Sequence, residues 1–220
     1  MTATVALIDY GSGNLASAAK ALARAADTLG PGKFEIVTTA DPQAVKDAER
    51  IVLPGVGAFA DCMKGLSAVP GMVGALREKV LQKGAPFLGI CVGMQLLATV
   101  GREFGSHAGL GWIAGEVVKI TPNSSGADPA LKIPHMGWNA LTILQPHPLL
   151  NGIADGADVY FVHSYHMQPA LPEDLIATTD YGGPLTAVIG NENIAGTQFH
   201  PEKSQAAGLT LLQNFLAWRP

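Results

Sequence analysis

Charge is scarce in this chain. Asp, Glu, Lys and Arg make up 15% of its 220 residues, and the balance is −4, where globular proteins usually carry about 25% charged residues. That leaves no electrostatic footprint for nucleic acid or for an anionic membrane. Ala and Gly fill much of the deficit, which also suits a surface partly covered by another subunit. Cysteine is scarcer still. Cys62 and Cys91 stand alone, too few for a disulfide framework, which points to a reducing compartment. Met1-Thr2-Ala3-Thr4 has no basic leader character, and no apolar run reaches membrane-spanning length. A soluble, cytosolic protein is expected. Phosphate loops of the G-x-x-x-x-G-K-[ST] kind are missing, as are Cys-x-x-Cys and His-Glu-x-x-His metal spacings. The length suits one α/β domain over residues 1–220 and is short for two.

What is present centres on Pro86-Phe87-Leu88-Gly89-Ile90-Cys91-Val92-Gly93-Met94-Gln95-Leu96-Leu97. An apolar run reads as a buried strand, and Gly93 to Leu97 begins a helix, so Cys91 falls at the turn between them. Gly89 and Gly93 flank it at minus two and plus two, the G-x-nucleophile-x-G elbow with cysteine in the serine position. Glycine is needed there because a strand bending abruptly into a helix brings backbones too close for Cβ atoms. Such a cysteine is expected to be exposed above the sheet, where a helix N-terminus and a nearby imidazolium favour the thiolate. The competing reading is a buried structural cysteine.

Taken in order, Val5–Asp9 is a short apolar strand and residues 15–29 an Ala-rich helix. Between them Gly11-x-Gly13-x-x-Ala16 imitates a dinucleotide fingerprint, and Asp41, beyond a strand over Phe34–Thr38, is a candidate ribose acid. A nucleotide-binding module is therefore a rival reading, beside a plain tight turn. Ile51-Val52-Leu53 is another strand. It ends in Pro54-Gly55-Val56-Gly57-Ala58-Phe59, a turn able to aim backbone N–H groups at an anion, with a second donor from the N–H of Val92. Cys62, beside Met63 and Leu66 in a helical pattern, reads as packing.

The middle is less regular. A strand spans about 115–120, and the turn formers of residues 122–129 read as a surface loop. Lys132 to Asn139 clusters large and polar side chains around Gly137, and Trp138 is either core or part of a partner surface. Asp158 to His166 reads as a strand running into a polar turn. His163 and His166 invite a metal, with Cys91 and His200 as further ligands, but without a metal spacing they read as structural histidines or as backbone that contacts a ligand.

Strands near 185–189 and 194–198 lead to Gln198-Phe199-His200-Pro201-Glu202, and a last helix runs to about Trp218. Positions two apart in extended chain project to one side, so His200 and Glu202 converge, with Pro201 fixing the turn. Glu202 can hold one ring nitrogen while the other takes the proton of Cys91. This is triad logic with cysteine as nucleophile.

Gly89-Ile90-Cys91-Val92-Gly93-Met94-Gln95 together with Gln198 to Glu202 resembles the class I, triad-type glutamine amidotransferases. Those enzymes hydrolyse glutamine through a cysteinyl thioester and pass ammonia to a synthase. Ile8 to Leu15, Leu53 to Phe59, Pro134 to Asn139 and Tyr160 to Tyr165 are similar to one branch of them, the glutaminase subunits of imidazole glycerol phosphate synthases. Val92 departs from the leucine usual there, but its N–H is unchanged. The resemblance implies a flavodoxin-like open, doubly wound α/β sheet and no cofactor or metal. It implies a heterodimer with a (β/α)8-barrel cyclase that makes imidazole glycerol phosphate for histidine biosynthesis. It makes Cys91, His200 and Glu202 catalytic and puts oxyanion donors at Val92, Gly55 and Val56. It assigns the amino-acid end of glutamine to Gln95, Ser164 and Tyr165. Asn14, Trp138, Tyr160 and Lys203 go to the cyclase interface, and the Gly11 turn faces the partner instead of a nucleotide. A glutaminase of the anthranilate or pyridoxal phosphate synthase type is the enzymatic alternative.

Overall fold

Short apolar runs become the middle of one sheet in the computed structural model, which describes residues 2–122 and 131–220. β1 (Ala3–Ile8), β2 (Phe34–Thr39), β3 (Arg50–Gly55) and β4 (Phe87–Cys91) lie parallel in the order β2-β1-β3-β4. Every residue of β3 and β4 is buried, as continuous aliphatic strands require when both faces are covered. The loop expected over residues 122–129 falls, from residue 123 on, outside the described residues.

α1 (Leu15–Leu29) follows β1. Asn14 caps it by accepting from the Ser17 N–H, and Ala18, Leu22, Ala25 and Ala26 form its buried stripe. α2 (Pro42–Asp47) connects β2 to β3, and α3 (Phe59–Ala68) and α4 (Met72–Arg77) connect β3 to β4. The β1-to-β2 step and the β3-to-β4 step run in opposite directions across the sheet. With right-handed crossovers their helices therefore cover opposite faces, and the sheet is doubly wound as expected.

After β4 the chain makes a single helical turn, α5 (Val92–Gln95), and not the longer helix its sequence suggests. The carbonyls of Leu96, Leu97 and Ala98 accept from the N–H groups of Leu110, Trp112 and Gly111, so the following segment captures the groups a longer helix would use. β5 (Val100–Gly101), β6 (His107–Ala108) and β7 (Gly115–Lys119) lie in a small side sheet. β8 (His135–Ala140) precedes the short β9 (Thr142–Ile143) and pairs antiparallel with β10 (Asp158–His163). The polar turn expected near His166 is a strand instead, β11 (Tyr165–Pro169), paired antiparallel with β7. Its polar residues masked a partner strand that satisfies the backbone.

β12 (Leu175–Asp180), β13 (Pro184–Asn191) and β14 (Ile194–Thr197) complete the main sheet, order β2-β1-β3-β4-β14-β13-β12-β9. The five parallel strands β2-β1-β3-β4-β14 have the flavodoxin-like order, and the other three extend it antiparallel. α6 (Gln205–Ala217) returns beside α1, where Gln213 donates to the Thr28 hydroxyl. Buried Arg50 donates to the carbonyls of Phe215 and Trp218 and so ties the end of α6 to β3. Among the described residues no helix is long and apolar enough to cross a membrane.

The tightest point is where α5 meets β3 and β4. A Cβ on Gly93 would be driven into the Leu53 carbonyl, and one on Gly89 would lie 2.6 Å from the Gly93 carbonyl oxygen. A Cβ on Gly74, inside α4, would meet nothing within 4 Å. Gly93→Ala is therefore expected to destabilise the protein by at least the ~1–3 kcal/mol of an overpacked core, whereas Gly74→Ala is neutral or slightly stabilising. Urea midpoints of the two variants check this, and equal midpoints would contradict it.

Candidate active site

Cys91 is the last residue of β4 and sits at φ 54°, ψ −112°, a conformation that non-glycine residues rarely adopt and that costs of order 1–3 kcal/mol. The bend turns its sulfur off the strand, into the wall of a cavity of about 290 Å³. The thiol is not exposed above the sheet, because the residue is only 3% accessible. Val162 to Tyr165, from the β10–β11 bend, line the same cavity, a covering that the local sequence does not announce. α5 is one turn long, too short to collect much of a helix dipole.

β14 lies parallel to β4, with Thr197 opposite Ile90, so the residues after β14 emerge at the same end as Cys91. His200 is pinned there from both sides. Its N–H donates to the Tyr160 carbonyl, and its carbonyl accepts from the Ser204 hydroxyl at 2.7 Å. Pro201 opens a 3-10 turn that swings Glu202 back, and His200 Nδ1 meets Glu202 Oε1 at 2.8 Å with both side chains buried. Burial disfavours charge on His200, but hydrogen bonding and charge attraction to the Cys91 sulfur and the Glu202 carboxylate outweigh it and raise its pKa to about 10. Among the described residues its other nitrogen, Nε2, has no hydrogen-bond partner within ordinary limits. That nitrogen is left to exchange a proton with the sulfur or with a substrate.

The Gly55–Val56 turn lies beside the cysteine. Gly55 admits no side chain, since a Cβ would lie 2.7 Å from the Tyr10 hydroxyl and 2.8 Å from the Gly93 nitrogen. Val56 lines the cavity, but its N–H donates to Ser12 Oγ at 3.1 Å. Ser12 Oγ donates in return to the Val56 carbonyl at 2.7 Å, and the Cys62 thiol reaches the same carbonyl at 3.2 Å. The donor expected for an oxyanion is thus held by the Gly11 turn. Cys62 packs as expected and also holds this peptide, a role sequence gave no signal for. The rival uses of these residues are taken up as well: Asn14 caps α1, Asp41 caps α2, and a Cβ on Gly13 would press on Pro54.

Gln95, Ser164 and Tyr165 line the far wall of the cavity. Gln95 Nε2 donates to the Tyr165 carbonyl at 2.9 Å and to Gln198 Oε1 at 3.1 Å, and Gln198 Nε2 points its N–H at Cys91 Sγ, 3.6 Å away. Gln198 opens the histidine motif, but the sequence assigns it no role of its own. Asn14 and Lys203 line the cavity mouth. Lys203 Nζ sits 5.5 Å from the centre of the Tyr160 ring, which meets Trp138 edge-on at 5.9 Å. Trp138 and Met136 are exposed. The interface candidates therefore form one surface running from the cavity mouth. His163 faces His135 and the Tyr165 carbonyl, not His166.

Comparison with known proteins agrees with this geometry. The family model "Glutamine amidotransferase class-I" matches residues 6–218. The chain belongs to the class I glutamine amidotransferases. This amidotransferase is 63% identical to the imidazole glycerol phosphate synthase subunit HisH of Rhodospirillum rubrum, over 98% of this chain and 99% of that one. It is 57% identical to the HisH subunit of Caulobacter vibrioides over 99% of each. Among solved structures it resembles a glutamine amidotransferase at TM-score 0.68 and 18% identity, covering 97% of both chains. Another, from Thermotoga maritima, matches at TM-score 0.63 and 15% identity, covering 98% of this chain and 97% of that one. The family membership corrects the nucleotide-module reading of the Gly11 turn.

The raised His200 pKa carries a sign. Its stabilisation is complete below the ordinary value of 6.5 and is lost as pH rises through about 10. The thermal midpoint is expected to fall across that window. In Glu202→Gln, which removes one of the groups holding the proton, the fall begins at the same pH, set by the unfolded chain, but is smaller and ends at lower pH. Superimposable profiles for the two proteins would refute the pairing.

Proposed function

We propose that this chain is the glutaminase subunit of an imidazole glycerol phosphate synthase, one domain working in the cytosol beside a (β/α)8-barrel cyclase. The observation that carries this reading is the strained elbow of Cys91 in one cavity with the buried His200–Glu202 pair, in a chain 63% identical to a subunit of that synthase. Exposed Met136 and Trp138 beside Tyr160 and Lys203 supply a surface for the partner.

The chemistry follows from the positions. The Cys91 sulfur attacks the side-chain amide carbon of glutamine, and a bond from sulfur to carbon forms as the carbonyl oxygen takes up charge. The Val92 N–H, at the head of α5, is one donor for that oxygen. His200 gives its proton to the departing nitrogen, and ammonia leaves behind a thioester. His200 then takes a proton from water, whose oxygen displaces the sulfur and releases glutamate. Glu202 keeps the ring oriented through both proton transfers. Ammonia passes to the cyclase.

The second oxyanion donor, the Val56 N–H, is held by Ser12. Rotation of the peptide after Gly55 is needed to bring it to the sulfur, and partner binding is the natural trigger, since the Gly11 turn that carries Ser12 is expected to face the cyclase. A glutaminase held this way releases little ammonia when alone.

Glutamate release is the test, measured with the chain alone and with the cyclase subunit plus its nucleotide ligand. Activity is expected to be low alone and to rise strongly in the complex, and Cys91→Ala is expected to abolish it. Release by Cys91→Ala would overturn the assignment. Ser12→Ala, which frees the Val56 peptide, is expected to raise the activity of the chain alone severalfold. An unchanged basal rate would remove Ser12 from the restraint.

A further inference from the structure

His135 and His163 are both buried and play no part in the triad. They lie opposite each other on β8 and β10, with His135 Nδ1 3.0 Å from His163 Nε2. His163 Nδ1 is 2.9 Å from the Tyr165 carbonyl oxygen. On the outer side His135 Nε2 lies 3.4 Å from Asn139 Nδ2. Hydrogen positions follow from the chemistry of the two ends. A carbonyl oxygen only accepts, so His163 Nδ1 carries the hydrogen and His163 Nε2, in the neutral ring, is an acceptor. His135 Nδ1 must then donate, which leaves His135 Nε2 to accept from Asn139.

The amide of Asn139 cannot flip to reverse this order. Its Oδ1 accepts the Ala140 N–H at 2.9 Å, and its Nδ2 donates to the Asp180 carbonyl at 2.7 Å. The row is therefore locked in one direction by backbone at both ends. Burial holds both rings neutral, lowering His135 to about 4 and His163 to about 3, and His135 is clamped by stacking at 4.8 Å on Phe161 and 4.0 Å on Tyr181.

The inner end of the row is the cavity wall. The Tyr165 carbonyl that accepts from His163 also accepts from Gln95, which holds Gln198, whose amide points at Cys91. Were His163 to carry its hydrogen on Nε2 instead, a lone pair would face the Tyr165 carbonyl and the Ser164–Tyr165 bend would be pushed away. Gln95 would then lose the acceptor that sets its orientation.

We propose that His135 is a positioning residue for the amide substrate: with His163 it forms a one-way hydrogen-bond relay that fixes the Tyr165 carbonyl and, through it, the Gln95 and Gln198 amides facing the Cys91 cavity. The relay rests on the glutaminase reading for its substrate, but its hydrogen order does not. Its outer members, His135 and Asn139, alternate along β8 with exposed Met136 and Trp138. One strand thus presents a surface on one side and orients the substrate wall on the other.

His135→Phe keeps the stacking and removes the donor, whereas His135→Asn keeps an amide donor near the Nδ1 position. The loss of one orienting hydrogen bond, worth about a factor of ten, is expected to raise the KM for glutamine about tenfold in His135→Phe with kcat changed less than about twofold. His135→Asn is expected to recover most of that loss. Imidazole ¹⁵N shifts are expected to show His163 as the Nδ1–H tautomer in the unsubstituted protein and as a mixture in His135→Phe. An unchanged KM in His135→Phe, equal KM values in both variants, or an Nε2–H tautomer in the unsubstituted protein would each overturn the relay. No glutamate release by the unsubstituted protein with its cyclase, despite the Nδ1–H tautomer, would instead overturn the glutaminase reading beneath it.

Discussion

The site depends on a steric constraint: the backbone after Cys91 must lie directly on the backbones of β3 and β4. Gly89 and Gly93 allow that approach, and no other residue fits where a Cβ would enter the Leu53 or Gly93 carbonyl. Because the turn is so close, Cys91 has to take a positive φ to leave the strand, and its sulfur is thereby aimed away from the sheet. The same approach brings the Gly55 turn beside the sulfur, since Gly55 and Cys91 are register partners across β3 and β4. One close packing therefore places the nucleophile and the oxyanion turn together, before any polar contact is made.

The second requirement is electrostatic, and the fold meets it differently. A buried carboxylate and imidazolium are costly to desolvate, and such a pair is weak evidence for stability. Here the pair is bought with backbone anchors. Ser204 and Tyr160 hold the His200 main chain, so the ring has little freedom to lose when it meets Glu202. Among the described residues the one hydrogen bond of the Glu202 carboxylate is the contact of Oε1 with His200 Nδ1, so the pair is joined through a single oxygen and a single nitrogen.

How much of this was legible depended on whether the information was local. The elbow could be read because glycine spacing reports close approach directly, and His200 and Glu202 because two positions in extended chain share a side. The helices and most strands followed from apolar period. The length of α5 was not legible, because what ends it is the backbone of residues 110–112, far along the chain. The burial of Cys91 escaped for the same reason, as residues 162–165, which line its cavity, lie about seventy positions along the chain. β11 was hidden by polar residues that composition assigns to turns. Ser12, Cys62, Gln198 and the pairing of His135 with His163 were also out of reach. Ser12, Gln198 and the histidine pair act through partners more than 25 positions away, Cys62 acts through a turn outside its own helix, and a lone Ser, Cys or His carries no mark of its contact.

β14 has one more consequence. It is the last strand of the chain, yet it occupies the middle of the main sheet, between β4 and β13. The nucleophile is complete after β4, but the base that serves it is delivered only when β14 slides into that gap. During synthesis the thiol therefore exists for more than a hundred residues as an inert side chain at the edge of an unfinished sheet. Chemistry begins only once the whole fold has closed, so a partly made or frayed chain has no means of squandering amide nitrogen.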